Sequence, residues 1–134
     1  MVSRKKNAMN GEKTINSYED LIVWQRAIEL VITTYEFTSH FPKEEMFGLI
    51  SQMRRASISI PSNIAEGSRR GSRKDFRHFS LNAFGSGAEL ETQIKISKKL
   101  GFLPETDYSK VDALLGEVMK MLNKMIGNLD VVSS

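Results

Sequence analysis

From Ser17 onward, apolar residues recur at spacings of three and four, the mark of one buried helical face, and nowhere alternate as a half-buried strand would. Leu21, Trp24, Ile28, Val31 and Tyr35 predict a first helix to about Thr38. Its start reads at Ser17, whose hydroxyl can accept a backbone N–H, with Asp20 in the first turn where negative charge is favoured. Phe41-Pro42 ends the pattern, and Pro42, which has no N–H to lose, suits the entry to the next helix. The second stripe runs through Phe47, Ile50, Met53, Ser57, Ile60 and Ile64. Pro61 lies inside it and predicts a kink, or a break near residues 57–61, because its ring removes a ladder bond. Gly67 to Ser72 reads as a turn, and Ser72 followed by Asp75 starts a third helix. Its stripe is Phe76, Phe79, Ala83, Gly87, Leu90 and Ile94, ending at Leu100-Gly101. Pro104 to Asp107 opens a fourth, with Val111, Leu114, Val118, Met121, Met125 and Leu129 as its core face.

Short connections between consecutive helices make neighbours antiparallel. The predicted fold is therefore all-α, an antiparallel up-down-up-down four-helix bundle over residues 17–130, with a flexible basic tail at 1–16 and a C-terminal tail at 131–134. Two helices carry a second apolar strip: Ile22, Leu30, Ile32 and Phe37 on the first, and Leu115, Leu122 and Ile126 on the fourth. Such a surplus points to a self-association surface; the alternative is a wide core stripe within one subunit.

Composition narrows the class. A chain of 134 residues has room for one domain and little more. Its longest apolar runs, such as Leu21 to Trp24, are far short of the roughly 20 residues that a membrane helix needs. Arg4, Lys5 and Lys6 have no apolar stretch behind them, so no secretory signal is expected and the expected setting is the cytoplasm. The absence of cysteine excludes disulfides, thiolate zinc sites and a cysteine nucleophile.

Catalytic chemistry finds little support. Asp75 and His78 have the carboxylate-x-x-His spacing of di-iron bundles, but such a site needs a second copy, and Glu36 with His40 has the wrong spacing. Gly85-Ser86-Gly87 lies in a helical stripe with no strand before it, which removes the nucleotide-loop contexts and leaves close approach of a neighbouring helix as its use. Neither histidine accompanies a nucleophile-like turn. The expectation is a protein that is not an enzyme and has no cofactor and no metal.

Charge is more informative by position than in total. The chain carries a net +3, yet residues 54–78 alone hold seven bases and two acids. Arg69, Arg70, Arg73, Lys74 and Arg77 crowd the second turn and the start of the third helix, where unpaired backbone N–H groups add partial positive charge. A phosphodiester backbone would find several charge-assisted donors there. Arg54 and Arg55 lie upstream at the level of Gly85 and Ser86. The competing reading pairs these cations with Glu29, Glu36, Glu66 or Asp75. No aromatic residues are interleaved to stack bases, so phosphate or shape binding is the form nucleic-acid recognition would take.

Several strings stand in order along the chain: Leu21-Ile22-Val23-Trp24-Gln25, Phe41-Pro42-Lys43-Glu44-Glu45, Gln52-Met53-Arg54-Arg55-Ala56, Ser59-Ile60-Pro61-Ser62-Asn63-Ile64-Ala65-Glu66-Gly67, Gly85-Ser86, Glu89-Leu90 and Leu100-Gly101. Together, over about residues 17–130, they resemble the four-helix-bundle family of 23S rRNA intervening sequence proteins, the S23 family. The resemblance implies a homopentameric ring, no catalysis and a link to RNA or a ribonucleoprotein as partner, with no membrane. Through a related branch, the accessory variability proteins of diversity-generating retroelements, it implies a reverse transcriptase as an alternative partner. Arg54, Arg55, Asn63 and Glu66 match family motif positions, the last two reading as capping and pairing groups.

Overall fold

The computed structural model describes residues 17–130; the two predicted tails, 1–16 and 131–134, lie outside the described residues. Four long helices make up the fold: α1 (Ile22–Thr38), α2 (Leu49–Arg69), α3 (Arg73–Leu100) and α4 (Ser109–Asn128). Short 3-10 turns precede α1, α2 and α4, and no strand occurs among the described residues. α1 packs on α2 and α4, α3 packs on the same two, and the α2–α3 pairing is the most extensive. That cyclic order is the all-α bundle the four stripes predict.

The helix starts differ from expectation in an instructive way. Ser17 does accept a backbone N–H, from Glu19 at 3.1 Å, but it caps a 3-10 turn at Tyr18–Asp20. α1 itself begins after Leu21 without a side-chain cap. Gln25 ties the two pieces together by donating from Nε2 to the Glu19 carbonyl at 2.8 Å. Pro42 likewise opens a 3-10 turn, Lys43–Glu45, several residues ahead of α2. Ser72 behaves as its sequence context predicts, accepting from the Asp75 N–H at 3.0 Å. Gly101 ends α3 with φ at 70°, a conformation that favours glycine, and Phe102 N–H returns to the Ser97 carbonyl in a Schellman-type closure.

Pro61 does not break α2, which is continuous from Leu49 to Arg69 with the proline ring buried. Burial of apolar side chains on both sides of it, Ile60 and Ile64, holds the helix through the missing ladder bond.

The core follows the predicted stripes on α2 and α3, where Ile50, Met53, Ile60 and Ile64 face Ala83, Leu90 and Ile94. Phe47 is the exception, at 97% exposure, because it precedes α2 and projects from the turn. On α1 the buried face is Val23, Ala27, Leu30, Thr34 and Phe37, about one position away from the expected Leu21–Trp24–Ile28–Val31–Tyr35 line. The threonines make this possible. Thr34 donates to the Leu30 carbonyl and Thr38 to the Thr34 carbonyl, both at 2.7 Å, so buried hydroxyls on this face stay paired within their own helix.

Leu30, Phe37, Leu115, Leu122 and Ile126, assigned to the surplus strips, are also core. The wide-stripe alternative therefore holds for α4 and for half of the α1 strip, whereas Ile22 and Ile32 remain exposed.

One end of the bundle is closed by an aromatic cluster. Phe37 meets Phe41 and Tyr108 edge-on at 5.1 and 5.0 Å, and Phe41 meets Phe102 at 5.2 Å. The buried Tyr108 hydroxyl shares a 3.0 Å hydrogen bond with Ser97. Beside it Lys98 reaches Asp112 at 2.8 Å, a hydrogen bond that holds the amine above its ordinary value.

Candidate nucleic-acid interface

The predicted basic cluster forms at the opposite end, where α2 passes into α3. Arg70 ends the helix and Gly71, at φ 88°, turns the chain into the Ser72 cap. This corner needs Gly67 as much as Gly71. A Cβ on Gly67 would stand 2.7 Å from Phe79 Cβ and 3.4 Å from Phe76 Cα, so α3 crosses directly over it. The final glycine of the Asn63–Gly67 string is thus a packing requirement of the corner. Gly87 serves the same purpose deeper in the bundle, where Met119 of α4 occupies the space of its missing Cβ. Gly85 has nothing near it and does not share that role.

The corner arginines are placed together as expected, but most are engaged. Arg70 donates to Glu66 at 3.0 Å and stacks over Phe79 at 4.9 Å. Arg73 donates to the Asn128 carbonyl at 2.6 Å, at the C-terminal end of α4, where the helix presents partial negative charge. Arg77 pairs with Asp130 at 3.2 Å, close enough for attraction yet without the alignment of a hydrogen bond. Arg69 stacks over the Tyr18 ring at 5.5 Å and has no carboxylate partner among the described residues. Lys74 is exposed and unpaired among the described residues. Arg73 and Arg77 therefore fasten the end of α4 to the start of α3, a role that sequence reasoning missed because one acceptor is a backbone carbonyl.

Arg54 lines the α1–α2 face beside Arg55, but its guanidinium is engaged by the end of α1. It donates from Nε to Thr38 Oγ1 at 3.0 Å and from its terminal nitrogen to the Tyr35 carbonyl at 3.2 Å, with the guanidinium 4.5 Å from the Tyr35 ring centre. Neither Glu29 nor Glu36 is its partner; the end of α1 is. Replacing Arg54 by alanine should lower stability by about 1–3 kcal/mol, since charged hydrogen bonds and a stacked stem are lost together. Thermal or urea unfolding checks this. Arg55, one residue on, is exposed and unpaired among the described residues.

Glu66 is a pairing group, held by Arg70, whereas Asn63 lies within α2 and caps no helix end. Asn63 donates to the Ser59 carbonyl and hydroxyl at 2.8 and 3.0 Å, and Ser59 shares a 2.8 Å hydrogen bond with Ser86 across the α2–α3 seam. Among the described residues no three His, Asp or Glu side chains are gathered to hold a metal ion. His78 is exposed beside Phe79, and His40 lines a cleft of about 340 Å³ between α1 and α4 with Glu36, Asp107 and Lys110. No helix among the described residues is long and apolar enough to cross a membrane.

A second surface lies between α1 and α2. Trp24, Ile28 and Val31, displaced from the core by the turn of α1, line an open groove with Tyr18, Ile58 and Pro61, of about 280 Å³. The groove continues past Ile58 to Tyr35, Met46 and Phe47, so one face of the bundle carries uncovered apolar side chains along much of its length. Much of the apolar surplus on this face is carried by Trp24, Ile28, Val31, Tyr35 and Phe47, which the periodicity assigns to the core.

The family model for 23S rRNA-intervening sequence proteins matches residues 19–124. A crystal structure of a protein of unknown function from the S23 ribosomal protein family of Bacteroides thetaiotaomicron superposes with a TM-score of 0.70 at 22% identity, covering 78% of this chain and 98% of that one. It shares the fold. No curated protein matches the chain.

Proposed function

Because the chain belongs to the 23S rRNA-intervening sequence protein family, we propose that it is a non-catalytic, cytoplasmic bundle subunit that self-associates into a homo-oligomer, a pentamer by family resemblance, and acts as a scaffold. The observation that carries this reading is the uncovered apolar face of α1 and α2, lined by Trp24, Ile28, Val31, Tyr35, Met46, Phe47 and Ile58. A contiguous patch of this kind, rimmed by charge, is the usual sign of a protein contact. Trp24 is the only tryptophan in the chain and sits in that face, so its emission reports contact directly. On dilution the emission should move to longer wavelength as subunits part and the indole meets water. Emission that does not change over the dilution range in which the mass of the assembly falls would leave the contact elsewhere.

RNA or a ribonucleoprotein is a second reading, favoured by Arg69 and Lys74, which crown the α2–α3 corner with no carboxylate partner among the described residues. The exposed Arg70–Glu66 ion pair adds to it, because a pair of that kind is worth only about 0–1 kcal/mol and can exchange for phosphate. Log affinity for RNA should then fall linearly with log salt, and Lys74→Ala or Arg69→Ala should each reduce the slope by about 0.7–0.9. Arg73 and Arg77 are poor probes, since their loss also loosens the end of α4. Engagement of Arg54, Arg73 and Arg77 within the chain favours a protein partner instead, such as a retroelement reverse transcriptase served by this chain as an accessory subunit. Undetectable or salt-insensitive RNA binding selects that reading.

A further inference from the structure

We propose that Phe47 of one copy inserts into the α1–α2 groove of a second copy. The proposal rests on the self-association reading above and names the contact that makes it. Phe47 is 97% exposed, the most exposed large apolar side chain among the described residues, on a turn that holds it away from its own bundle. Glu45 fixes that turn by accepting the Leu49 N–H through its carboxylate, so the ring projects from an ordered base. The groove formed by Trp24, Ile28, Val31, Ile58 and Pro61 is apolar, open and large enough for an aromatic ring. Phe47 cannot fill it within one molecule. From Leu49, where α2 begins, to Pro61 is about 18 Å along the helix, beyond the reach of a phenylalanine side chain.

Charge selects the same pairing. The turn that precedes Phe47 is net negative, with Glu44 and Glu45 against Lys43, and Glu44 is exposed and unpaired among the described residues. The far end of the groove is bounded by Tyr18, over which lies Arg69, a guanidinium without a carboxylate partner among the described residues. Seating the ring therefore faces a net-negative turn with a groove that ends at a cation. A side chain on one part of a surface filling a pocket on another part of an identical surface is a common basis of assembly between copies.

Two variants test the contact at exposed positions. Phe47→Ser removes the ring, and Ser62→Arg places a long charged side chain over the groove from an exposed position on its rim. Circular dichroism and thermal melting confirm that each still folds. In sedimentation velocity each variant alone should associate at least tenfold more weakly than the parent. An equal mixture should recover a two-subunit species, because one partner keeps the ring and the other keeps the groove. If the parent associates and Phe47→Ser associates equally well, or if the mixture recovers nothing, the ring-in-groove contact is overturned while self-association stands. A parent that is monomeric at every concentration overturns both.

Discussion

Replacing Leu30 by alanine should destabilise the fold by about 2–5 kcal/mol, whereas Ile32→Ala should change it by no more than about 0.5 kcal/mol. Both residues belong to the strip that periodicity sets apart from the α1 core, yet Leu30 is fully buried and Ile32 is 55% exposed. Leu30 packs in the same cluster as Ala27, Met53, Leu90 and Val118, all fully buried. Truncating it leaves a cavity that four helices would have to collapse together to fill. Ile32 lies largely in solvent, and its truncation leaves no enclosed cavity. Urea unfolding of the two variants side by side reads the rotation of α1 directly. Equal losses would mean that the helix is turned toward its Leu21–Tyr35 line.

Gly67→Ala should cost about 1–3 kcal/mol by overpacking, although alanine is the better helix former. The new methyl would stand 2.7 Å from Phe79 Cβ, an atom fixed to the α3 backbone, so the corner itself must shift. Gly85→Ala is the control. It lies in an exposed stretch of α3 with nothing within 4 Å, and should stabilise by up to about 1 kcal/mol. Opposite signs at two helical glycines would show that only one of them is a contact point. Because the Gly67 corner carries Arg69, Arg70 and Arg73, its displacement should also weaken whatever the basic end binds.

The fold was legible where core positions are filled by aliphatic side chains. Ile50, Met53, Ile60 and Ile64 on α2, and Ala83, Leu90 and Ile94 on α3, keep a helical spacing that needs no tertiary knowledge. α1 was misread because its buried face uses Ala27, Thr33, Thr34 and Thr38, which count as small or polar, while Trp24, Ile28 and Val31 look like a core. The basic corner was legible as a cluster and illegible as chemistry. Arg73 and Arg54 end on the carbonyls of Asn128 and Tyr35, acceptors that every residue possesses and no sequence pattern marks. The open groove depends on α1 and α2 lying side by side, and so appears only once the helices are packed.

Sedimentation equilibrium of the purified chain over a wide concentration range tests the central claim most directly. The account predicts a mass that is a multiple of 15.2 kDa and falls toward that value on dilution or when the α1–α2 face is charged, for example by Ile58→Lys. A mass of 15.2 kDa at every concentration, with the apolar face left bare in water, would contradict it.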